Sequence, residues 1–239
     1  GANPNLSISY YDRILTPLIL LAGGYCQLYY KQINFLINLL LDYGANIDYQ
    51  DNKGSTALWH AYEEFMEDAG TREVVLERLI DKKANVNIIV EEKSILDCVL
   101  TNNELSTNLM KKIIDNGADT SVIKHSLQEM NAAFMDTVKD IQSGENNDEY
   151  DYFVFPYLEK LIFIMQYGID ITSSINTLDQ ALKILINLDY DGQLAIDILK
   201  FFLEYGINMN NLDMPKIQDI ALKSNKLKLI NFINSYLTV

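Results

Sequence analysis

The residues of this chain whose types can do chemistry are His60 and His125, Cys26 and Cys98, and runs of carboxylates such as Glu63-Glu64 and Glu67-Asp68. A catalytic site needs a nucleophile, a base and an orienting group brought together. The histidines and cysteines are scattered: no cysteine neighbours a histidine in sequence, and no cluster has zinc-ligand spacing. Gly23-Gly24 and the other glycines match neither common phosphate-binding pattern. The acidic stretch Ser143–Asp151 offers hard-cation ligands but lacks the central glycine and closing glutamate of a calcium loop, so a solvated loop is expected there. The carboxylate runs read as solvated helix faces, and His60 as a local hydrogen-bonding or surface residue. The expectation is a non-catalytic chain with no metal and no cofactor.

Charge narrows the partners. A net charge of −14 repels nucleic-acid phosphates and favours protein partners with a basic surface. The longest nearly uncharged apolar run, Ile14 to Leu21, is shorter than the roughly 20 residues that span a bilayer, so no membrane insertion is expected. No secretory pattern is visible, and two distant cysteines fit a reducing, cytoplasmic setting.

The elements that must position these residues announce themselves by repetition. An apolar helix end, a turn residue, a small or apolar residue, Asn or Asp, and a second polar residue recur at Gly1–Asn5, Gly44–Asp48, Lys83–Asn87, Gly117–Ser121, Gly168–Thr172 and Gly206–Asn210. Glycine takes the left-handed conformation that turns a helix end back sharply. The Asn or Asp two positions later bonds its local backbone and holds the following turn. The helices before these turns carry apolar stripes, such as Ile33, Leu36, Ile37, Leu40 and Leu41, broader than one neighbour covers. Thr16-Pro-Leu18 and Thr56-Ala-Leu58 place a hydroxyl at the N-cap of a shorter first helix, with Ser94-Ile-Leu96 and Asn176-Thr-Leu178 as looser copies. Ala61 and Ala181 follow the leucines by three residues and allow close helix approach. Gly1–Asn5 reads as the tail of a repeat whose helices are missing, so the chain is expected to be an excised piece or a degraded start.

These residues resemble the ankyrin repeat family. The family's Thr-Pro-Leu-His-x-Ala helix start is matched best at Thr56–Ala61 and Thr16–Leu18, and its Gly-Ala-Asp/Asn-x-Asn ending at the six places above. The resemblance implies an all-α, ankyrin-type solenoid of stacked helix–loop–helix–hairpin repeats. It divides residues 1–239 into about six repeats, 6–44, 45–83, 84–117, 118–168, 169–206 and 207–239. The chain departs from the pattern in three ways. Ile19, Trp59 and Asp97 replace the helix-start histidine, Lys83 replaces a turn glycine, and the hairpins before Asn176 and Pro215 are short. Lys83 must accept a strained left-handed conformation, or the turn must differ. The first helix of the fourth repeat is expected to begin between Lys124 and Glu129. The last helix, about Lys226 to Leu237, should turn Leu229, Ile230, Phe232 and Ile233 inward and leave Lys226, Lys228, Asn231 and Asn234 to solvent.

The family grips ligands with hairpin tips and the exposed side of its first helices. Carried over position by position, this implies a partner surface of Tyr49, Gln50, Asn52, Lys53 and Ser55 on one hairpin, with Glu63 and Glu64 on its helix. The next repeat adds Ile89, Glu91, Glu92, Thr101 and Asn102. Trp59 is the single large anchor, although its place in the pattern favours burial over contact. The implied function is a protein–protein interaction module for a partner protein or peptide. Its alternative is the target-recruiting arm of a larger enzyme or effector whose catalytic domain lies elsewhere. Divergent arrays of this kind, rich in Asn, Ile, Lys and Tyr, suggest an intracellular bacterium or large DNA virus acting on host proteins.

Overall fold

A computed structural model describes residues 2–26, 28–63, 69–102, 104–143, 150–188 and 192–237. These residues are mostly helical, with one short two-stranded hairpin. Two compact units divide the chain, Gly1–Ile123 and Lys124–Val239. Among the described residues no helix is long and apolar enough to cross a membrane.

The first unit opens with β1 (Ile8–Tyr10) paired antiparallel to β2 (Arg13–Leu15), Ile8 facing Leu15. Six helices follow: α1 (Pro17–Ala22), α2 (Tyr30–Asp42), α3 (Ala57–Glu63), α4 (Ala69–Asp81), α5 (Ile95–Thr101) and α6 (Thr107–Asp115). Hydroxyls start four of them. Thr16, Thr56, Ser94 and Ser106 accept from the amides of Ile19, Trp59, Asp97 and Leu109, and Pro17 occupies the first turn of α1, where its missing N–H costs nothing. Ser94 and Asp97 form a full capping box, so the third helix start is well made despite its loose match. Packing runs α1 on α3, α3 on α4, α2 on α4 and α4 on α6. Ala22 and Ala61 are fully buried, and their missing bulk lets backbones approach. Leu18, Leu58, Leu76, Leu96 and Leu109 are also buried, each contributing about 1.5–3 kcal/mol of transfer free energy. Of the α2 stripe, Ile33 and Ile37 are buried while Leu36, Leu40 and Leu41 are only partly covered.

The recurring turns use the bonds expected of them. Gly44 has φ +86°, and the Ala45 amide reaches back to the Leu40 carbonyl at 2.9 Å. Lys83 adopts the same left-handed conformation, φ +68°, with the Ala84 amide bonded to the Leu79 carbonyl at 3.0 Å. The turn is therefore preserved and the strain accepted. Asn46, Asn85, Asp119, Asp170 and Asn208 each take the amide two residues on, at 2.9 to 3.1 Å.

The second polar residue of the motif has a different job in the first unit. Asn5 Nδ2 donates to the Gly44 carbonyl (2.9 Å) while its Oδ1 accepts from the Asn46 amide (2.7 Å). Asn87 makes the same two bonds to Gly117 and Asp119, at 2.8 and 2.9 Å. Asp48 accepts from the Asn85 amide at 2.7 Å but, as a carboxylate, has nothing to donate. Successive turns are thus joined directly to one another.

The second unit contains α7 (Ile123–Ser143) beyond its first residue, α8 (Tyr150–Gln166), α9 (Thr172–Leu188), α10 (Gln193–Glu204), α11 (Met214–Lys223) and α12 (Leu227–Leu237). Phe134 of α7 stacks on Tyr157 of α8 at 4.0 Å. The Tyr157 hydroxyl and Ser174 Oγ of α9 both donate to Asn131 Oδ1, at 2.6 and 2.9 Å. Helix α9 packs on α10 and α11, with Leu178, Ala181, Leu182 and Leu185 fully buried. Lys160 of α8 is 1 % exposed, and its burial pushes the ammonium down to about 8.

Three expectations are corrected here. Helix α9 begins at Thr172 rather than near Asn176, because Asp170 caps the turn through the Thr172 amide and no hairpin intervenes. Helix α7 begins at Ile123, one residue before the expected range, where an inward Ile123 joins the core. Lys226 is only 9 % exposed, whereas Leu229 and Ile233 are buried and Lys228, Asn231 and Asn234 exposed, as their spacing requires. Residues 144–149 of the acidic stretch and Gly1 lie outside the described residues.

Candidate functional site

The first unit has hairpin tips at residues 11–12, 51–55 and 90–93, and the second and third, with their flanks, carry most of the candidate residues. At the second tip the chain from Asp51 to Ser55 closes on itself: the Asp51 amide donates to the Ser55 carbonyl, and the Gly54 amide to the Asp51 carbonyl, both at 3.0 Å. Asp51 Oδ1 accepts from the Lys53 and Ser55 amides at 2.8 and 3.0 Å. Gly54 sits at φ +89°, a conformation that lets the loop be this short.

The other oxygen of Asp51 points inward. Oδ2 accepts from Arg13 Nη1 at 2.8 Å and lies 3.0 Å from His60 Nε2. The side chains of Asp51 and His60 have no exposed surface. On the far side of the ring, Tyr25 Oη is 3.2 Å from His60 Nδ1. A carboxylate only accepts, so Nε2–H donates to Asp51, while Nδ1 shares a hydrogen bond with the Tyr25 hydroxyl. Arg13 also donates to Ser55 Oγ at 3.2 Å and faces Glu63 at 3.8 Å. Burial opposes ionisation of Asp51. Hydrogen bonds from Arg13, the Lys53 amide, His60 and the Ser55 amide outweigh it and hold the carboxyl below its ordinary value.

An acid beside an imidazole is the start of an acid–base pair, but this one is sealed and saturated. Each named polar atom is matched within the cluster, so it functions as a clasp between β2, the second tip and α3. Asn52 ties the first two tips together: its Oδ1 accepts from the Ile14 amide (2.8 Å) and its Nδ2 donates to the Asp12 carbonyl (2.7 Å). Lys53 pairs with Asp12.

The third tip is a tight turn closed by Val90 and Lys93, whose amides and carbonyls exchange two bonds of 3.0 Å. Glu91 and Glu92 both lie at positive φ, +50° and +67°, where glycine or asparagine is usual. Trp59 reaches from α3 to this hairpin. Its Nε1 donates to the Ile88 carbonyl at 3.1 Å, and its ring packs with Val90, Cys98, Tyr62 and Ile88.

The candidate residues therefore separate by exposure and by what already holds them. Ser55 and Trp59 are 1 % and 4 % exposed and serve the interior; a partner cannot reach their side chains. Asn52 and Lys53 are exposed but engaged in joining tips. Gln50 bonds the Gly54 carbonyl, and Tyr49 is half-buried. Thr101 Oγ1 donates back to the Asp97 carbonyl, and Asn102 closes α5. Ile89, Glu91, Glu92 and Glu63 are exposed. Glu64 lies outside the described residues.

Sequence reasoning missed the first tip, where Tyr11 is 92 % exposed at φ +50° with Tyr10 edge-on to it at 4.9 Å. The doublet Tyr10-Tyr11 next to Asp12 was its only signal. Reasoning also missed that His60 and Asp51 meet, since a separation of nine positions matches no period that pairs them. His125 stands exposed on α7 beside Glu129, at 3.6 Å. Among the described residues no group of three His, Cys, Asp or Glu side chains could hold a metal ion. No family model matches the chain, and no curated protein matches it.

Proposed function

We propose that the chain is an ankyrin-type repeat array that acts without catalysis, binding a partner protein or peptide through the hairpin tips and adjoining helix ends of its first unit. The observation that carries this reading is the combination of locked backbone and exposed apolar side chains at the tips. Asp51 and Asn52 fix the second tip and fasten it to the first, while Tyr11 and Ile89, 92 % and 54 % exposed, stand out from fixed loops. A surface ordered in advance binds with less loss of conformational freedom, and large amphipathic rings are favoured contacts. The turn-to-turn bonds of Asn5, Asp48 and Asn87 support the stacked-repeat reading, because they join consecutive copies of one motif.

The net charge of −14, with Glu91, Glu92 and Glu63 exposed beside the tips, favours a partner with basic groups facing them. A photo-crosslinking residue at position 11 tests the reading. Cross-linking in a host-cell extract, followed by mass spectrometry, is expected to capture one partner that the same probe at exposed Lys228 does not. Identical capture from both positions would overturn it.

A further inference from the structure

We propose that the groove between α8 and α10 in the second unit is a separate interaction surface that receives one basic amphipathic helix of a partner protein. The groove encloses about 260 Å³. Its floor is apolar: Leu158 and Phe201 are nearly buried, Ile162 is half-buried, and Phe155 and Tyr205 remain 39 % and 41 % exposed. Phe155 and Ile162 lie on one ridge of α8, seven residues apart, and Phe201 of α10 and Tyr205, which caps that helix, face them four residues apart. Two facing ridges with apolar residues at helical spacing fit the ridge of a third helix, read as anchors at i, i+3 or i+4, and i+7.

The rim selects the occupant. Glu159 and Glu204 stand exposed on opposite walls with no ion pair among the described residues. Asp197 is shared with Lys200 at 3.6 Å and accepts from Gln193. Three carboxylates against one ammonium give the rim a negative field. Lys or Arg flanking an apolar stripe would complement it, and a like-charged surface would be repelled. A second copy of this chain brings the same acidic rim and a net charge of −14, and an anionic lipid surface is repelled for the same reason. That leaves a cationic helix as the complementary partner.

A displayed library of helical peptides about four turns long, with a fixed apolar stripe and randomised flanks, tests this against the full chain. The selected peptides are expected to be enriched in Lys and Arg at the flanks and to lose affinity as salt rises. They should bind at least tenfold more weakly to Glu159→Lys/Glu204→Lys and to Tyr205→Ala, with far-UV circular dichroism melting unchanged. The charge-reversed chain should instead select acidic flanks. Failure of basic flanks to enrich, equal binding to the charge-reversed chain, or recruitment of the wild type to phosphatidylserine vesicles through Tyr205 would overturn the proposal. Tip substitutions in the first unit leave these affinities unchanged, so the result stands apart from that of the tip surface.

Discussion

The Asp51 carboxylate and the His60 imidazole lie 3.0 Å apart with no exposed surface on either side chain, and Arg13 completes the contact at 2.8 Å from the same oxygen. The order of the first two tips depends on this clasp, because Asp51 holds its own loop with one oxygen and β2 and α3 with the other.

Removing Asp51 leaves Arg13 and His60 facing each other without the acid between them. Asp51→Ala is expected to destabilise the first unit by about 3–5 kcal/mol, the range for breaking a buried pair from one side. Trp59 is the only tryptophan and sits beside the clasp, so urea unfolding followed by its fluorescence reads this unit alone. An unchanged midpoint would show that the clasp contributes nothing.

The same carboxylate sets an acid limit. Its folded pKa lies below the ordinary 3.8, so the unfolded state binds the proton more readily. Stability from this group is full above 3.8 and is lost as pH falls through the lower folded value. Trp59 fluorescence should therefore report an acid transition whose midpoint rises in Asp51→Asn, measured by titration from neutral pH downward.

Lys83 carries the strain of a glycine position. Lys83→Gly is expected to stabilise the first unit by about 1 kcal/mol, since the left-handed conformation at φ +68° penalises any Cβ. The bond from Lys83 Nζ to Asn116 Oδ1 at 3.0 Å is exposed, and its loss offsets little. The urea midpoint for Trp59 should move upward.

Asp48 makes half of the bridge that Asn5 and Asn87 make whole. Asp48→Asn supplies the missing donor toward the Lys83 carbonyl and should add about 0.5–1.5 kcal/mol, one net hydrogen bond. Asn87→Asp should cost a similar amount by the same measurement.

Lys160 makes the second unit respond to alkali. Its folded pKa, about 8, lies below the ordinary 10.5, so the unfolded chain holds the extra proton between these values. Stability should rise with pH across that window. Lys160→Met should melt higher than the wild type near pH 7, and the gap should close as pH approaches 10.5, read by circular dichroism.

Much of the local structure was legible because it rests on short-range chemistry. A glycine or its lysine substitute after an apolar stripe, an Asx residue two positions on, and a hydroxyl before Leu18, Leu58 or Leu96 each act within a few residues. The helices came out where those signals lay. The start of α9 did not, since a capping Asp170 in place of a hairpin leaves Thr172 free to begin the helix, which passes through Asn176. The site was less legible. Surface candidates such as Ser55 and Trp59 turned inward because Arg13 and the Ile88 carbonyl wait for them, and both partners are remote in sequence. Tyr11 was overlooked because a tyrosine doublet reads equally well as core.

The central claim is that the tips of the first unit grip a protein partner. The direct measurement is the affinity of the captured partner, by isothermal titration, for the wild type and for Tyr11→Ala/Ile89→Ala, two exposed side chains whose loss leaves the clasp intact. The account predicts at least a tenfold loss of affinity, about 1.4 kcal/mol, with the Trp59 unfolding midpoint unchanged. Equal affinity of the two chains for that partner would contradict it.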